Sequence, residues 1–269
     1  MFPKIKNKLI LSYIFDNLRK RIKLKIVKYN KLLVEKLNIK TKEYMQYYNL
    51  KKFNQIYKLN IEDIDIDELN LNSKKIGNEG LNFLFKINFS SLKQLNLYDN
   101  ILSYVKVLEK INLKYLQKLS LRCNYLNNIN ALININFRDL KELDLSFNKI
   151  DDISELEFVK INHLEKLNLS YNKISNINVL EKVNFKDLKF LNLCSNNISD
   201  IEVLKNVSFY NLEKLDLGKN EITDIKVLEK VIMENLQYLD LSFNKIYDKT
   251  VLEHIANDKL KINMYIDES

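Results

Sequence analysis

Side chains that commonly carry out chemistry are scarce in this 269-residue chain. The two histidines, His163 and His254, and the two cysteines, Cys123 and Cys194, lack the close spacing of zinc ligands. The three glycines form no glycine-rich motif that could hold a phosphate, and no pair of carboxylates stands out as a general acid and base. We therefore predict no catalytic residue, no metal site and no cofactor, and we expect a protein that is not an enzyme.

Asparagine is the polar residue with the most regular spacing. An asparagine amide donates two hydrogen bonds, and its carbonyl oxygen accepts hydrogen bonds. Such side chains can satisfy backbone N–H and C=O groups in buried turns, and this chain has only three glycines and one proline to form turns. Seven asparagines follow one another at intervals of 24 residues: Asn100, Asn124, Asn148, Asn172, Asn196, Asn220 and Asn244.

The leucines around each asparagine follow the same period. The pattern Leu-x-x-Leu-x-Leu-x-x-Asn begins at Leu92 and recurs in register until the unit at Leu236, and a weaker unit begins at Ile66. Its Leu-x-Leu portion has the alternation of a strand with one buried face. The apolar positions that follow step by three residues, which favours a short helix or a 3-10 turn. Because one unit cannot bury its own apolar side, the units are predicted to stack into a solenoid with a parallel sheet on its inner wall.

These units resemble the leucine-rich repeat family over roughly residues 59–269. The resemblance implies an α/β solenoid of about eight repeats, with the parallel sheet on its concave face and short helices or 3-10 turns on its convex face. It also implies that the seven asparagines form a ladder of hydrogen bonds to the backbone of their own and adjacent coils. We expect Ser154 and Asn178 to cap two of the convex helices. The alternating residues from Leu260 to Ile266 predict a closing strand or cap.

The side chains beside the strand leucines are predicted to face the concave side. Small polar residues alternate there with a few aromatic ones, a composition that suits a surface for a protein or peptide partner with aromatic anchors. A second interpretation is that Phe147, Tyr171 and Phe243 are structural covers at the edge of the sheet. The candidate partner-binding residues are Arg122, Asp144, Phe147, Tyr171, Phe190, Asp216, Tyr238, Asp240 and Phe243.

Residues 1–58 do not follow the repeat and carry most of the positive charge. They hold 16 basic and three acidic residues, a net charge of +13, whereas the rest of the chain has a net charge of −5. Ile10, Ile14, Phe15 and Leu18 fall on one helical face, and this stretch resembles a degenerate F-box. That resemblance implies docking of a Skp-type linker subunit and a role as a substrate adaptor of a cullin–RING ubiquitin ligase. The alternative is a helical segment that only caps the solenoid.

A third interpretation assigns the basic segment to a polyanion. Lysines and aromatic residues interleave between Lys42 and Lys58, as in surfaces that bind nucleic acid or anionic membranes. A solvated charged face is the commoner explanation, so we expect no nucleic-acid partner. No apolar run reaches the length of a membrane span, and two unpaired cysteines suit a reducing compartment. We therefore expect an intracellular protein, cytoplasmic or nuclear, that is monomeric on its own.

Overall fold

The structure, a computed structural model, describes residues 41–84, 86–89, 91–110, 113–256 and 258–265. Within them, nine three-residue strands form one parallel sheet in which each strand pairs with its neighbours in the sequence. The strands are β1 (Glu68–Asn70), β2 (Gln94–Asn96), β3 (Lys118–Ser120), β4 (Glu142–Asp144), β5 (Lys166–Asn168), β6 (Phe190–Asn192), β7 (Lys214–Asp216), β8 (Tyr238–Asp240) and β9 (Lys261–Asn263).

Short helices form the opposite wall of the solenoid. In the described part of the chain, six coils carry a 3-10 helix, at Lys106–Lys110, Asn130–Asn134, Ser154–Phe158, Asn178–Glu181, Glu202–Asn206 and Lys226–Lys230. The α-helices within the described residues are α1 (Thr41–Tyr57), α2 (Gly77–Leu84) and α3 (Thr250–Ile255). The predicted fold class is therefore confirmed: a solenoid has a parallel sheet on one face and short helices or 3-10 turns on the other.

The strand leucines explain why the coils stack in register. Leu143 pairs with Leu119 on one side and with Leu167 on the other, and all three side chains are buried. The last leucine of each motif, such as Leu145, is buried as well. The isoleucines of the following turn, Phe137 and Phe209 are also buried. Since every coil contributes the same apolar positions, the hydrophobic effect stabilises each coil only through contact with its neighbours.

The seven asparagines make hydrogen bonds within and between the coils, and we call this array the asparagine ladder. Asn172 Nδ2 donates to the carbonyl oxygen of Leu169 in its own coil at 3.0 Å and to that of Leu145 in the preceding coil at 3.0 Å. Its Oδ1 accepts from the backbone N–H of Ile150 at 3.0 Å. The pattern recurs from Asn124 to Asn244, and Asn100 makes corresponding bonds to the longer first coil.

The expected capping role of Ser154 and Asn178 is wrong. These residues are the first residues of their 3-10 helices, and neither helix has a side-chain bond from its N-cap position. The capping acceptor lies two residues earlier: Asp152 Oδ1 accepts from the Ser154 N–H at 2.8 Å, and Asn176 Oδ1 accepts from the Asn178 N–H at 2.8 Å. In a 3-10 helix, the first N–H lies close to the residues that precede the helix. The side chain two residues earlier can therefore accept from this N–H, and the acceptor lies outside the helix.

Both ends of the described solenoid are covered. Leu50 and Phe53 of α1 are buried, and the Phe53 ring stacks on Phe83 of α2 with centroids 6.0 Å apart. At the other end, β9 pairs with β8, and Ile262 packs partly buried against the core. The boundary drawn at residue 58 stays a prediction. The F-box-like residues Ile10, Ile14, Phe15 and Leu18 lie outside the described residues. None of the helices within residues 41–265 that the structure describes is both long and apolar enough to cross a membrane.

Candidate functional site

Two columns of side chains flank the buried leucines on the concave face of the sheet. The column that precedes the leucines carries alternating charge at its centre, where Glu142 lies 3.2 Å from the Lys118 ammonium and 3.1 Å from that of Lys166. Burial acts to raise the pKa of Glu142, but hydrogen bonds and attraction from both lysines outweigh it, so this pKa lies below its ordinary value. The sequence interpretation did not select these three residues, although their alternation is visible in the printed chain.

A groove of about 340 Å³ runs along this face across β1 to β6. Two of the predicted partner-binding residues line it, namely Asp144 near its centre and Phe190 at one end. The other lining residues are Glu68, Gln94, Leu95, Asn96, Lys118, Leu119, Ser120, Glu142, Leu143, Lys166 and Asn168. We call this depression the concave groove. It offers charges of both signs and one aromatic ring to a partner.

The predicted aspartates also have a structural role in their own coils. Oδ1 of Asp144 accepts from the N–H of Ser146 at 2.9 Å, and Oδ1 of Asp216 accepts from the N–H of Gly218 at 3.0 Å. Asp240 makes the same bond to Ser242. One carboxylate oxygen of each residue is thereby committed to the turn that follows the strand. A partner would therefore engage mainly the second oxygen of Asp144.

Tyr238 and Asp240 form a hydrogen-bonded pair at the end of the sheet. The Tyr238 hydroxyl donates to Asp240 Oδ2 at 2.8 Å, and Asn263 Nδ2 donates to the same oxygen at 2.7 Å. Burial acts to raise the pKa of Asp240, but the hydrogen bonds from Ser242, Asn263 and Tyr238 outweigh it and lower the pKa. Burial raises the pKa of Asp216, and the neighbouring Asp240 carboxylate adds to that rise.

The residues directly before the ladder asparagines form a third column, which we call the rim column. They are Asp99, Cys123, Phe147, Tyr171, Ser195, Lys219 and Phe243. All have left-handed backbone, with φ from +51° to +55°. Left-handed backbone is unfavourable for bulky side chains and is usually given to glycine or asparagine. The chain therefore makes its recurrent sharp turn without glycine, because the following asparagine and the stacked coils hold it in place.

Three predicted residues meet as one stack along the rim. The rings of Phe147 and Tyr171 lie 4.0 Å apart at an interplanar angle of 13°, and the Arg122 guanidinium lies 4.2 Å from the Phe147 centroid. The side chains of Phe147 and Tyr171 are 36% and 41% exposed. Tyr125, which the sequence interpretation passed over, lies beside them with the Lys149 ammonium 4.9 Å from its ring. The stack is thus a cationic and aromatic surface that remains open to solvent.

Phe243 belongs to a second stack farther along the rim column. Its ring lies 5.1 Å from that of Tyr265, and the Lys219 ammonium lies 5.4 Å from the Phe243 centroid. The predicted partner-binding residues therefore do not form one continuous patch. Asp144 and Phe190 line the concave groove, Tyr238 and Asp240 form a pair on β8 beyond the groove, and the remaining aromatic residues lie on the rim.

The histidines and cysteines form no metal cluster within the part of the chain that the structure describes. His163 and His254 are exposed and contact Asp187 and Glu229, at 3.0 Å and 2.7 Å respectively. Cys123 and Cys194 are both free thiols, and burial raises the pKa of Cys194. A protonated thiol is a poor nucleophile, so Cys194 is not an activated group.

Parallel coils, a continuous sheet and the asparagine ladder together define a solenoid repeat protein that displays a concave groove and a rim. Family comparison then gives the particular class. A family model for a leucine rich repeat matches residues 114–174, and a model for two copies of the repeat matches residues 162–206 and 210–254. The chain belongs to the leucine-rich repeat family. A comparison with curated protein sequences found no match.

Solved structures with the same fold include bacterial and plant proteins. Internalin C2 from Listeria monocytogenes is 25% identical with a TM-score of 0.61, and the match covers 80% of this chain and 91% of that protein. A leucine-rich repeat protein of Leptospira interrogans is 24% identical with a TM-score of 0.59, over 80% of this chain and 50% of that one.

The ectodomain of the plant receptor kinase GASSHO1/SCHENGEN3 from Arabidopsis thaliana, solved in complex with CASPARIAN STRIP INTEGRITY FACTOR 2, is 20% identical with a TM-score of 0.51. That match covers 74% of this chain and 26% of the plant protein. The chain therefore spans half or less of the Leptospira and plant proteins.

Proposed function

We propose that this chain is a non-enzymatic interaction module that binds a protein partner on its concave face. The observation that carries the proposal is the concave groove, in which the alternating charges of Lys118, Glu142 and Lys166 border the aromatic ring of Phe190. Charges of fixed order select a partner by complementarity, and an aromatic ring at the end of the groove supplies an anchor. A binding role is also consistent with the plant receptor ectodomain of the same fold, which was solved in complex with CASPARIAN STRIP INTEGRITY FACTOR 2.

The proposal is tested by comparing what three forms of the protein capture. Lys166→Glu reverses one charge in the concave groove, and Lys230→Glu makes the same change at an exposed position at the end of a convex 3-10 helix. We expect a partner that binds the wild type and Lys230→Glu and is lost with Lys166→Glu. A partner retained by Lys166→Glu and lost with Lys230→Glu would place binding on the convex face and overturn the proposal. Capture of the same proteins by all three forms would also contradict it.

Within this class, we propose a role as a substrate adaptor of a cullin–RING ubiquitin ligase. The support is the F-box-like order of Ile14, Phe15 and Leu18 ahead of a leucine-rich repeat solenoid. The role requires an intracellular location, cytoplasmic or nuclear. Co-expression with a Skp-type subunit tests it: we expect the two chains to purify together, and we expect Ile14→Asp with Phe15→Asp to abolish the complex while the solenoid stays folded.

An unchanged complex in that double variant would refute the docking role. The nucleic-acid or anionic-membrane scaffold is the alternative use of the basic segment. It would show as binding to an oligonucleotide or to anionic vesicles that falls steeply with added salt.

A further inference from the structure

The two aromatic stacks of the rim column are separated by one coil, and that coil carries the small side chain of Ser195. Tyr171 ends the first stack and Lys219 begins the second. We propose that the position above Ser195 is a slot for an aromatic side chain from an acidic segment of the partner. The inference deepens the proposed function and rests on it, because the same partner would occupy the concave groove and the rim.

The spacing of the coils gives the slot its width. Adjacent parallel strands lie about 4.8 Å apart, so Tyr171 and Lys219, which are two coils apart, are separated by roughly 9.6 Å. A ring inserted midway would lie about 4.8 Å from each neighbour, which is within the range of aromatic stacking and of cation–π contact. Tyr171 and Ser195 line the same shallow depression of about 440 Å³ on the surface. The inserted ring would join the two stacks into one row.

The cations along the rim favour an acidic segment: Lys219 adjoins the slot, Lys149 lies two coils from it and Arg122 lies three coils from it. Arg122 lies over Phe147, Lys149 lies over Tyr125 and Lys219 lies over Phe243, so each of these cations faces a ring. In the part of the chain that the structure describes, none of the three forms an ion pair with a carboxylate. A partner carboxylate next to the inserted aromatic residue would pair with Lys219, and carboxylates farther along the same segment would meet Lys149 and Arg122. Cation–π contact with the inserted ring would add to this attraction.

The same geometry favours a peptide over a nucleic acid. Asp216 and Asp240 lie on strands of the coils that carry Lys219 and Phe243, and their carboxylates face the concave side next to this rim. A phosphate backbone running along several coils would meet these charges, whereas a peptide needs to place one ring and one or two carboxylates. The left-handed backbone at Phe147 and Tyr171 also places large rings where a repeat needs none for its own stability, which points to use at a surface.

The absence of tryptophan from the chain makes a direct test possible. The probe is the capped peptide Gly-Glu-Trp-Glu-Gly, whose tryptophan emission reports the peptide alone. We expect saturable binding to the full chain with a blue shift of the emission. Ser195→Phe fills the slot with a residue that the rim column already carries at two positions, and it should abolish binding with an unchanged urea midpoint. Tyr171→Leu should weaken binding by about three- to tenfold through loss of one stacking contact.

Matched controls distinguish binding at the slot from nonspecific binding. Tyr115→Leu removes an exposed ring that also faces a lysine, with Lys114 4.5 Å from its centroid, and it should leave the affinity unchanged. The peptide with leucine in place of tryptophan should bind far more weakly. Equal binding of the two peptides, or equal losses in Tyr115→Leu and Tyr171→Leu, would overturn the proposal. The proposal would also be overturned if an oligothymidine bound to the wild type and not to Ser195→Phe, while the peptide did not bind at all.

Failure of the slot and failure of the proposed function have different outcomes. If Lys166→Glu removes a captured partner while Ser195→Phe leaves it bound, and the peptide does not bind, the partner uses the groove and the slot proposal is refuted. If a partner is lost with both Lys166→Glu and Ser195→Phe and kept by Lys230→Glu and Tyr115→Leu, the groove and the slot form one site, as we infer.

Discussion

The asparagine ladder predicts a specific energetic coupling between neighbouring coils. Asn196 Nδ2 and Asn220 Nδ2 both donate to the carbonyl oxygen of Leu193, at 3.0 Å and 2.9 Å. Each asparagine also accepts one backbone N–H through Oδ1, that of Ile174 for Asn196 and that of Ile198 for Asn220. The Leu193 oxygen therefore keeps a donor when one asparagine is removed and loses both donors only when the two are removed together.

The magnitude follows from counting the groups that lose every partner. Asn196→Ala leaves the buried N–H of Ile174 unpaired, and Asn220→Ala leaves that of Ile198 unpaired, so each variant should lower the free energy of unfolding by about 1–3 kcal/mol. The double variant leaves the Leu193 oxygen unpaired as well. Its loss should exceed the sum of the single losses by a further 1–3 kcal/mol, roughly the cost of one buried carbonyl without a partner.

Urea unfolding of the wild type, both single variants and the double variant measures this coupling, provided that the slope of free energy against urea stays constant. The control is the pair Asn172→Ala and Asn220→Ala, whose side chains share no carbonyl oxygen. Its two losses should add to within about 0.5 kcal/mol. Additive losses in the Asn196 and Asn220 pair, or equal coupling in both pairs, would refute the view that shared carbonyls tie adjacent coils together.

Three further predictions test other parts of the structure. Glu155 Oε2 is buried with no hydrogen-bond partner among the described residues, so Glu155→Val should raise the free energy of unfolding by about 1 kcal/mol; a lower urea midpoint would contradict this. A Cβ on Gly80 would overlap Tyr57 Oη and lie 2.8 Å from Ile76 Cβ. Gly80→Ala should therefore lower the midpoint of thermal unfolding by displacing α1 from the first coil. An unchanged midpoint would mean that Tyr57 can move away without cost. Glu142 has a lowered pKa in the folded chain, so the stability that it contributes is present above the ordinary glutamate pKa and is lost as the pH falls through the folded-state pKa. The urea midpoint of the wild type should therefore fall more on acidification than that of Glu142→Gln. An equal dependence of the two urea midpoints on pH would argue against the lysine contacts.

The parts of the fold that the sequence predicted are those with one chemical requirement in every coil. A leucine such as Leu143 must be buried, so its period showed where the strands lie and how they pair. The left-handed backbone of Phe147 could not be predicted in that way, because an aromatic side chain does not favour it. The available signal was indirect: Phe147 stands directly before a ladder asparagine, at the turn of a chain that has almost no glycine.

The candidate site was harder to predict because its residues carry two roles at once. Asp144 was selected as a concave residue and does line the groove, yet one of its oxygens is held by the turn that follows β4. Lys118, Glu142 and Lys166 were not selected because lysine and glutamate are abundant on any surface. Their alternation is visible in the sequence, but the ion pairs between them are seen only in the structure. Pairwise contacts between coils depend on this register, which a single unit does not reveal.

The rim column shows how a repeat can reserve positions for recognition. Each coil needs its leucines for the core and its asparagine for the turn, but the residue before the asparagine needs only to tolerate left-handed backbone. Glycine would meet that need with the least strain, yet in the rim column the chain places Phe147, Tyr171 and Phe243 among smaller and charged residues. Because these side chains do not contribute to the shared core and remain partly exposed, their variation from coil to coil is what can distinguish one partner from another. Ser195 interrupts the rim between two stacks that each hold a cation and two rings, so it is the position at which the rim would distinguish one partner from another.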